Sequence, residues 1–173
     1  MNYAKIKNYD IANGPGVRVS LFVSGCTHHC KNCFNPETWD FNYGEVFDTA
    51  VEEKILQMLE PGFIAGFSLL GGEPFEPENQ KALAPFLKRI RRLYPEKDIW
   101  CYTGYDFEAD MLTCKLGDEE VLNDMLSSID YLVDGEFVES LKDPSLRFKG
   151  SSNQRIINVK RSIESDNIVL WEG

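Results

Sequence analysis

Three cysteines in the spacing C-x3-C-x2-C, namely Cys26, Cys30 and Cys33, stand directly after the β-rich run Val17 to Val23. A strand that feeds such a loop puts three thiols at one end of a sheet, and the rest of the chain has to be arranged around what they hold. Three thiolates supply three corners of a cubane [4Fe–4S] cluster and leave its fourth iron without a protein ligand. Structural clusters usually take four cysteines, so a set of three keeps a coordination site for a small molecule. The competing reading is structural zinc, with His28 or His29 completing a Cys3His set. Such modules usually draw their ligands from two separated pairs, and only one group is present here. A disulfide framework fits worse, because the chain has 173 residues and an odd number of cysteines, five.

The length suggests one domain across residues 1–173, large enough for a real core. Against 18 basic residues stand 28 acidic ones, a formal charge of −10, which repels a polyphosphate backbone and argues against direct contact with nucleic acid. The one basic knot, Lys88 to Arg92, reads as the solvated face of a helix whose other face is Leu83, Phe86, Leu87 and Ile90. The N-terminus lacks the apolar core of a signal peptide, and no apolar run is long enough to span a bilayer. A cytoplasmic protein with reduced thiols and no membrane partner is the expectation, which favours metal or redox use of the cysteines.

Along the chain, Asn13-Gly14-Pro15-Gly16 is a turn signal, and Val17 to Val23 reads as the first strand. Apolar residues at Val51, Ile55, Met58 and Leu59 predict a helix capped by Asp48 and ended by Pro61-Gly62. Phe67 to Leu70 is a short strand closed by Gly71-Gly72-Glu73-Pro74. A helix from about Glu78 to Tyr94 follows, with Pro85 predicting a kink or a later start. Asp98 to Tyr102 is a strand, Asp118 to Leu126 a helix, Tyr131 to Val133 a strand ending at Asp134-Gly135, and Arg155 to Val159 another strand. Alternating strands and helices predict an α/β fold with a parallel sheet. The chain is too short for eight units, so an incomplete (β/α) barrel, or open half-barrel, fits best.

In such sheets ligands collect at the C-terminal ends of the strands. Four of these ends carry unusual residues: the cysteine loop, Gly71 to Pro74, Thr103-Gly104 and Asp134-Gly135. Two glycines let backbone carbonyls approach a ligand closely, though an ordinary βα turn would also use them. Asp134 could hold a ribose hydroxyl, a cation or a substrate group, or serve as a turn residue or cap; Thr103 is similarly divided. Phe34 could shield a cluster, lie beside an adenine or simply pack. The two histidines fit solvated loop positions or hydrogen bonds near a cluster. Cys101 and Cys114 read as inert thiols.

The blocks NGPGVRVSLFVSGC, CFNPETWDF, LLGGEPF, DIWCYTGY, DYLVDGEF and LKDPSLRFKGSSNQRI, which span Asn13 to about Val159, resemble the activating proteins of anaerobic (class III) ribonucleotide reductase, in the radical S-adenosylmethionine (SAM) superfamily. Formate-lyase-type activases share the cysteine spacing and the glycine loop, but the Asp134-Gly135 and Gly150 to Gln154 blocks point to the reductase activases. Phe34 stands where many relatives carry tyrosine, and Lys149 where arginine is common.

The resemblance implies a half-barrel of the radical SAM type with its core at about 13–160, and assigns nothing to the tail at 161–173. It implies a [4Fe–4S] cluster on Cys26, Cys30 and Cys33 whose open iron chelates SAM. Reductive cleavage of SAM would give a radical that removes hydrogen from a glycine of the reductase large subunit. Candidate SAM contacts are Asn32, Cys33 and Phe34 in the cysteine loop, Gly71, Gly72 and Glu73, Thr103 and Gly104, and Asp134. A flavodoxin-type electron donor is a further implied partner, and Gly150 to Gln154 is a candidate for SAM or partner contacts.

Overall fold

The computed structural model describes residues 1–173. Seven strands form one sheet: β1 (Asn2–Asp10), β2 (Val17–Val23), β3 (Glu45–Val46), β4 (Ile64–Gly71), β5 (Asp98–Tyr102), β6 (Tyr131–Asp134) and β7 (Arg155–Asn158), in the order β3-β1-β2-β4-β5-β6-β7. Four helices join them: α1 (Thr49–Leu59), α2 (Pro77–Leu93), α3 (Glu119–Ser128) and α4 (Val159–Ser165). No helix is long and apolar enough to cross a membrane.

The centre of the sheet, β2-β4-β5-β6, is parallel, as the alternation of elements predicts. Both margins are antiparallel, with β1 paired to β2 and to β3, and β7 paired to β6. The sequence predicts the strand β7 but not its antiparallel setting, and it predicts neither β1 nor β3. It also predicts Val17–Val23 as the first strand, whereas β1 comes first. The run NYAKIKNYD hides its strand because the register slips between Tyr3 and Lys5 and again between Lys7 and Asp10, which breaks the period of two that marks a half-buried strand.

Residues alternate across the sheet. Val19, Leu21, Val23, Phe67, Leu69, Ile99, Cys101, Leu132 and Ile157 point to one face, where they join Ile55, Leu56 and Leu59 of α1, Leu83, Phe86, Leu87 and Ile90 of α2, and Leu122, Met125 and Leu126 of α3 in a single core. Asp48 caps α1 as its position predicts, its carboxylate accepting from Val51 N at 3.0 Å. Asp118 does the same for α3. Pro85 neither kinks α2 apart nor delays its start. It lies on the exposed side of a continuous helix, where the carbonyl of Lys81 that it cannot satisfy is open to water.

The opposite face is built differently. It presents Arg18, Ser20, Phe22, Ser68, Leu70, Trp100, Tyr102 and Val133 at the alternate positions of β2, β4, β5 and β6. Arg18 is fully buried there. Its guanidinium donates to Ser68 Oγ at 2.7 Å and to the carbonyl of Phe67 at 2.9 Å, and it pairs with Asp98 at 2.6 Å. Ser68 Oγ in turn donates to Asn13 O, and Arg18 to Pro15 O, so the Asn13–Gly16 turn is tied to this face. No helix covers the face above these residues, and the cavity described next opens from it.

Candidate active site

Because β2, β4, β5 and β6 run parallel, their C-terminal ends lie along one rim. The loops that leave them enclose a cavity of about 480 Å³, within the range of roughly 300–1,000 Å³ typical of small-molecule sites. Cys26, Cys30, Cys33, Phe34, Gly71, Gly72, Glu73, Thr103 and Gly104 all line it. Asn32 and Asp134 do not. The Asn32 amide bonds instead to Glu139. The Asp134 carboxylate, 1 % exposed, accepts from Arg155 on both oxygens and from Phe107 N at 3.1 Å. Arg155 also reaches Glu108 and Asp106. Of the alternatives open to Asp134 in the sequence, the structure therefore places it as an internal acceptor, and its neighbour Gly135 is the residue on the cavity wall.

The cysteine loop is held against the glycine loop by backbone contacts that need bare glycine. Gly72 N donates to Val23 O at 2.8 Å, Gly25 N to Thr38 O at 2.8 Å, and Glu73 N to Gly25 O at 2.7 Å. A Cβ on Gly72 would sit 2.6 Å from Gly25 O and 2.9 Å from Thr38 O, inside any tolerable contact. The first turns of α2 complete the clamp. Glu76 accepts from both N and Oγ1 of Thr27, at 2.8 and 2.7 Å. Buried Asn79 donates to Ser24 O and Glu73 O, each at 2.9 Å.

Glu73 is the hub of the rim. One carboxylate oxygen accepts from Thr103 Oγ1 at 2.8 Å and Phe75 N at 2.9 Å. The other accepts from Gly104 N at 2.8 Å and lies 3.2 Å from His28 Nε2. A group so fully engaged joins three loops, and Thr103 serves the same purpose by accepting from Tyr105 N at 3.1 Å. His28 sits between Glu73 and Glu136, with its ring edge-on to Tyr105 at 4.4 Å. Burial would push its imidazole down, but the two carboxylates outweigh burial and raise it to about 9. A Cβ on Gly104 would meet the His28 ring at 2.7 Å, so any other residue there has to move His28 from its place between the two carboxylates.

The donor set suits an iron–sulfur cluster. Cys26, Cys30 and Cys33 line one cavity, and cysteine thiolates are the ligands that hold such clusters. Neither histidine is offered as a fourth ligand: His28 faces two carboxylates, and His29 lies tilted against Trp39 at 4.7 Å. Burial pushes the Cys26 thiol up to about 12 and raises that of Cys30, so ligation has to displace protons from the loop. Cys101 is fully buried in the core and its thiol is pushed well up by burial, as expected of an inert position.

Further residues line the cavity, of which Phe137, Lys5, Lys7 and Phe22 escape the sequence reading. Phe137 packs against Phe34 at 4.9 Å. Lys149, Gly150 and Gln154 border the cavity, and Gln154 folds its own loop by accepting from Gly150 N and Ser151 N while donating to Gly135 O. Lys5, Lys7 and Phe22 line it from β1 and β2. Only the Gly150 to Gln154 block carries a signal in the sequence. The β1 residues carry none, because the strand itself is hidden.

Comparison with known proteins agrees with this chemistry. Residues 12–157 match the family described as a 4Fe-4S single cluster domain. The anaerobic ribonucleoside-triphosphate reductase-activating protein of Haemophilus influenzae is 43 % identical over 162 residues, covering 92 % of this chain and 99 % of the relative. Its namesake in Escherichia coli K12 is 42 % identical over 162 residues, covering 92 % and 100 %. That of phage T4 is 37 % identical over 156 residues, covering 90 % and 93 %.

Proposed function

Because the chain belongs to the family of anaerobic ribonucleoside-triphosphate reductase-activating proteins, we propose that it generates a glycyl radical on the large subunit of that reductase, using a [4Fe–4S] cluster on Cys26, Cys30 and Cys33 and SAM bound beside it. The observation that carries this reading is the convergence of the three thiols and the bare Gly71-Gly72 backbone on one cavity at the ends of parallel strands. The cluster and SAM together supply one-electron chemistry able to take a hydrogen atom from a glycine α-carbon.

The protein's part is placement. The carbonyls of the glycine loop receive the amino group of SAM, and Glu73 holds that loop rigid from behind. Phe34 and Phe137 pack together beside the cluster ligands and give the cavity an aromatic border. The sheet is on this reading a half-barrel of the radical SAM type, with residues 1–173 as one domain. Its open side admits a loop of a large partner, and a flavodoxin-type protein supplies the electron.

The test is electron paramagnetic resonance on an anaerobic mixture of reconstituted, reduced protein, SAM and the reductase large subunit. A glycyl-radical doublet on the reductase that depends on SAM is the expected result. A cluster signal that shifts with SAM while no doublet forms would show that the partner is wrong. No cluster signal in reconstituted protein would overturn the metal assignment.

A further inference from the structure

One wall of the cavity is unexplained by cluster and SAM. Lys5 and Lys7, two apart on β1, both line it. Their ammonium groups lie over the same ring, that of Phe22, at 4.8 and 5.3 Å from its centroid. Two cations gathered on one ring repel each other, and neither takes part in any of the chain's ion pairs, although the net charge is −10. The only carboxylate on the cavity wall belongs to Glu73, whose oxygens are already engaged. Lys7 acts on the buried Asp10 carboxylate from beyond ion-pair distance, yet neither lysine has a direct ionic partner, and an acidic protein thus keeps two cations facing its own cavity.

The backbone beside these lysines is also free. β3 pairs with β1 only at Asn2 and Tyr3, so from Ala4 onward the outer edge of β1 has no neighbouring strand. An open edge accepts an extended polypeptide by strand addition, with alternate side chains setting specificity. Lysines on an edge strand can also merely discourage aggregation. Here, however, both lie across Phe22 and border the cavity. SAM is a poor match for the pair, since its sulfonium is cationic and its one carboxylate is, on the reading above, taken by the open iron of the cluster.

We propose that Lys5 and Lys7 dock an acidic side chain of the polypeptide substrate, on the extended segment that carries its glycine into the cavity. The inference rests on the reading above that the substrate is the reductase. It adds a residue-level anchor for that protein, separate from the SAM contacts.

The experiment uses the cluster-loaded full chain and its Lys5→Glu/Lys7→Glu variant. Affinity for the reductase large subunit is measured anaerobically by calorimetry at low and high salt, and affinity for SAM alone in parallel. The expected result is reductase binding weakened about ten-fold or more, with a flatter salt dependence, and SAM affinity within about two-fold of the parent. Lys5→Gln/Lys7→Gln should fall between the two. Both side chains are exposed, so an unchanged melting curve is expected to accompany the loss. Unchanged reductase affinity in the Glu variant would overturn the proposal and leave the lysines as edge protection. A parallel fall in SAM affinity would overturn it in favour of the SAM carboxylate. Absence of binding by the parent chain would instead overturn the proposed function, and this anchor with it.

Discussion

Glu73 stands in the sequence as a possible ligand contact, and in the structure its carboxylate has no capacity left for one. Phe75 N, Gly104 N and Thr103 Oγ1 donate to it from two strand ends, and His28 approaches from the cysteine loop. Replacing it by glutamine turns one acceptor oxygen into a donor that has to face a donor. Glu73→Gln is therefore expected to destabilise the fold by roughly 1–3 kcal/mol, read by urea unfolding of the cluster-free protein, and to lower iron retention after reconstitution. Gly72→Val acts on the same seam. Its side chain would displace the carbonyls of Gly25 and Thr38, so SAM binding should fall by ten-fold or more, about 1.4 kcal/mol, together with the cysteine-loop geometry; unaltered SAM affinity would remove the glycine loop from the site. The cysteines and glycines were legible in the sequence because spacing and the absence of a side chain are properties of the chain itself. The partners of Glu73, Asp134 and Asn32 were not. A carboxylate at a strand end looks the same in sequence whether Arg155, 21 residues on, or a ligand answers it.

Among the elements, those with a local signature were legible and those defined by a distant partner were not. The cap of α1 and the parallel central strands follow from short-range pattern. β1, β3 and the antiparallel setting of β7 follow from pairings that no local rule gives. Asp10, where β1 ends, illustrates how such an element is secured. Its carboxylate accepts from Ala12 N at 3.0 Å and from Asn13 Nδ2 at 2.5 Å, holding the turn into β2. Burial works to raise its pKa, but these bonds and the nearby Lys7 cation outweigh burial and lower it below the ordinary 3.8. A carboxyl depressed on folding contributes stability that is complete above its unfolded value and lost as pH falls through the folded one. The parent protein should thus lose this contribution below about pH 4. Asp10→Asn should be less stable at pH 7 by about 1 kcal/mol and show a shallower loss between pH 4 and 3, measured as urea midpoints across that range. An equal slope in both proteins would place the acid sensitivity elsewhere.

At the scale of the whole molecule the sheet has one face closed by helices and one face whose residues are buried without a helix, and the tail supplies part of that cover. After α4 the chain returns along β7, where Asn158 N donates to Val169 O and Trp171 N to Ile156 O at 2.8 Å each. The Trp171 ring then stands edge-on to fully buried Trp100 at 5.2 Å and against Phe148 at 5.8 Å, while Phe148 meets Trp100 at 5.5 Å. Phe148 directly precedes Lys149 and Gly150, and all three line the cavity. The tail, to which the sequence assigns no role, is in this way connected through one aromatic ring to the site. Trp171→Ala removes a half-buried ring, so its cost should be about 1–2 kcal/mol, below the roughly 3–5 kcal/mol of a core aromatic. Water reaching Trp100, whose indole N–H has no partner in the folded chain, should shift its fluorescence to the red. Loosening of Phe148 should also reach the cavity and weaken SAM binding several-fold without touching a ligand. Red-shifted emission with unchanged SAM affinity would mean that the tail only covers the sheet; a change in both would mean that the open face and the site are stabilised as one body.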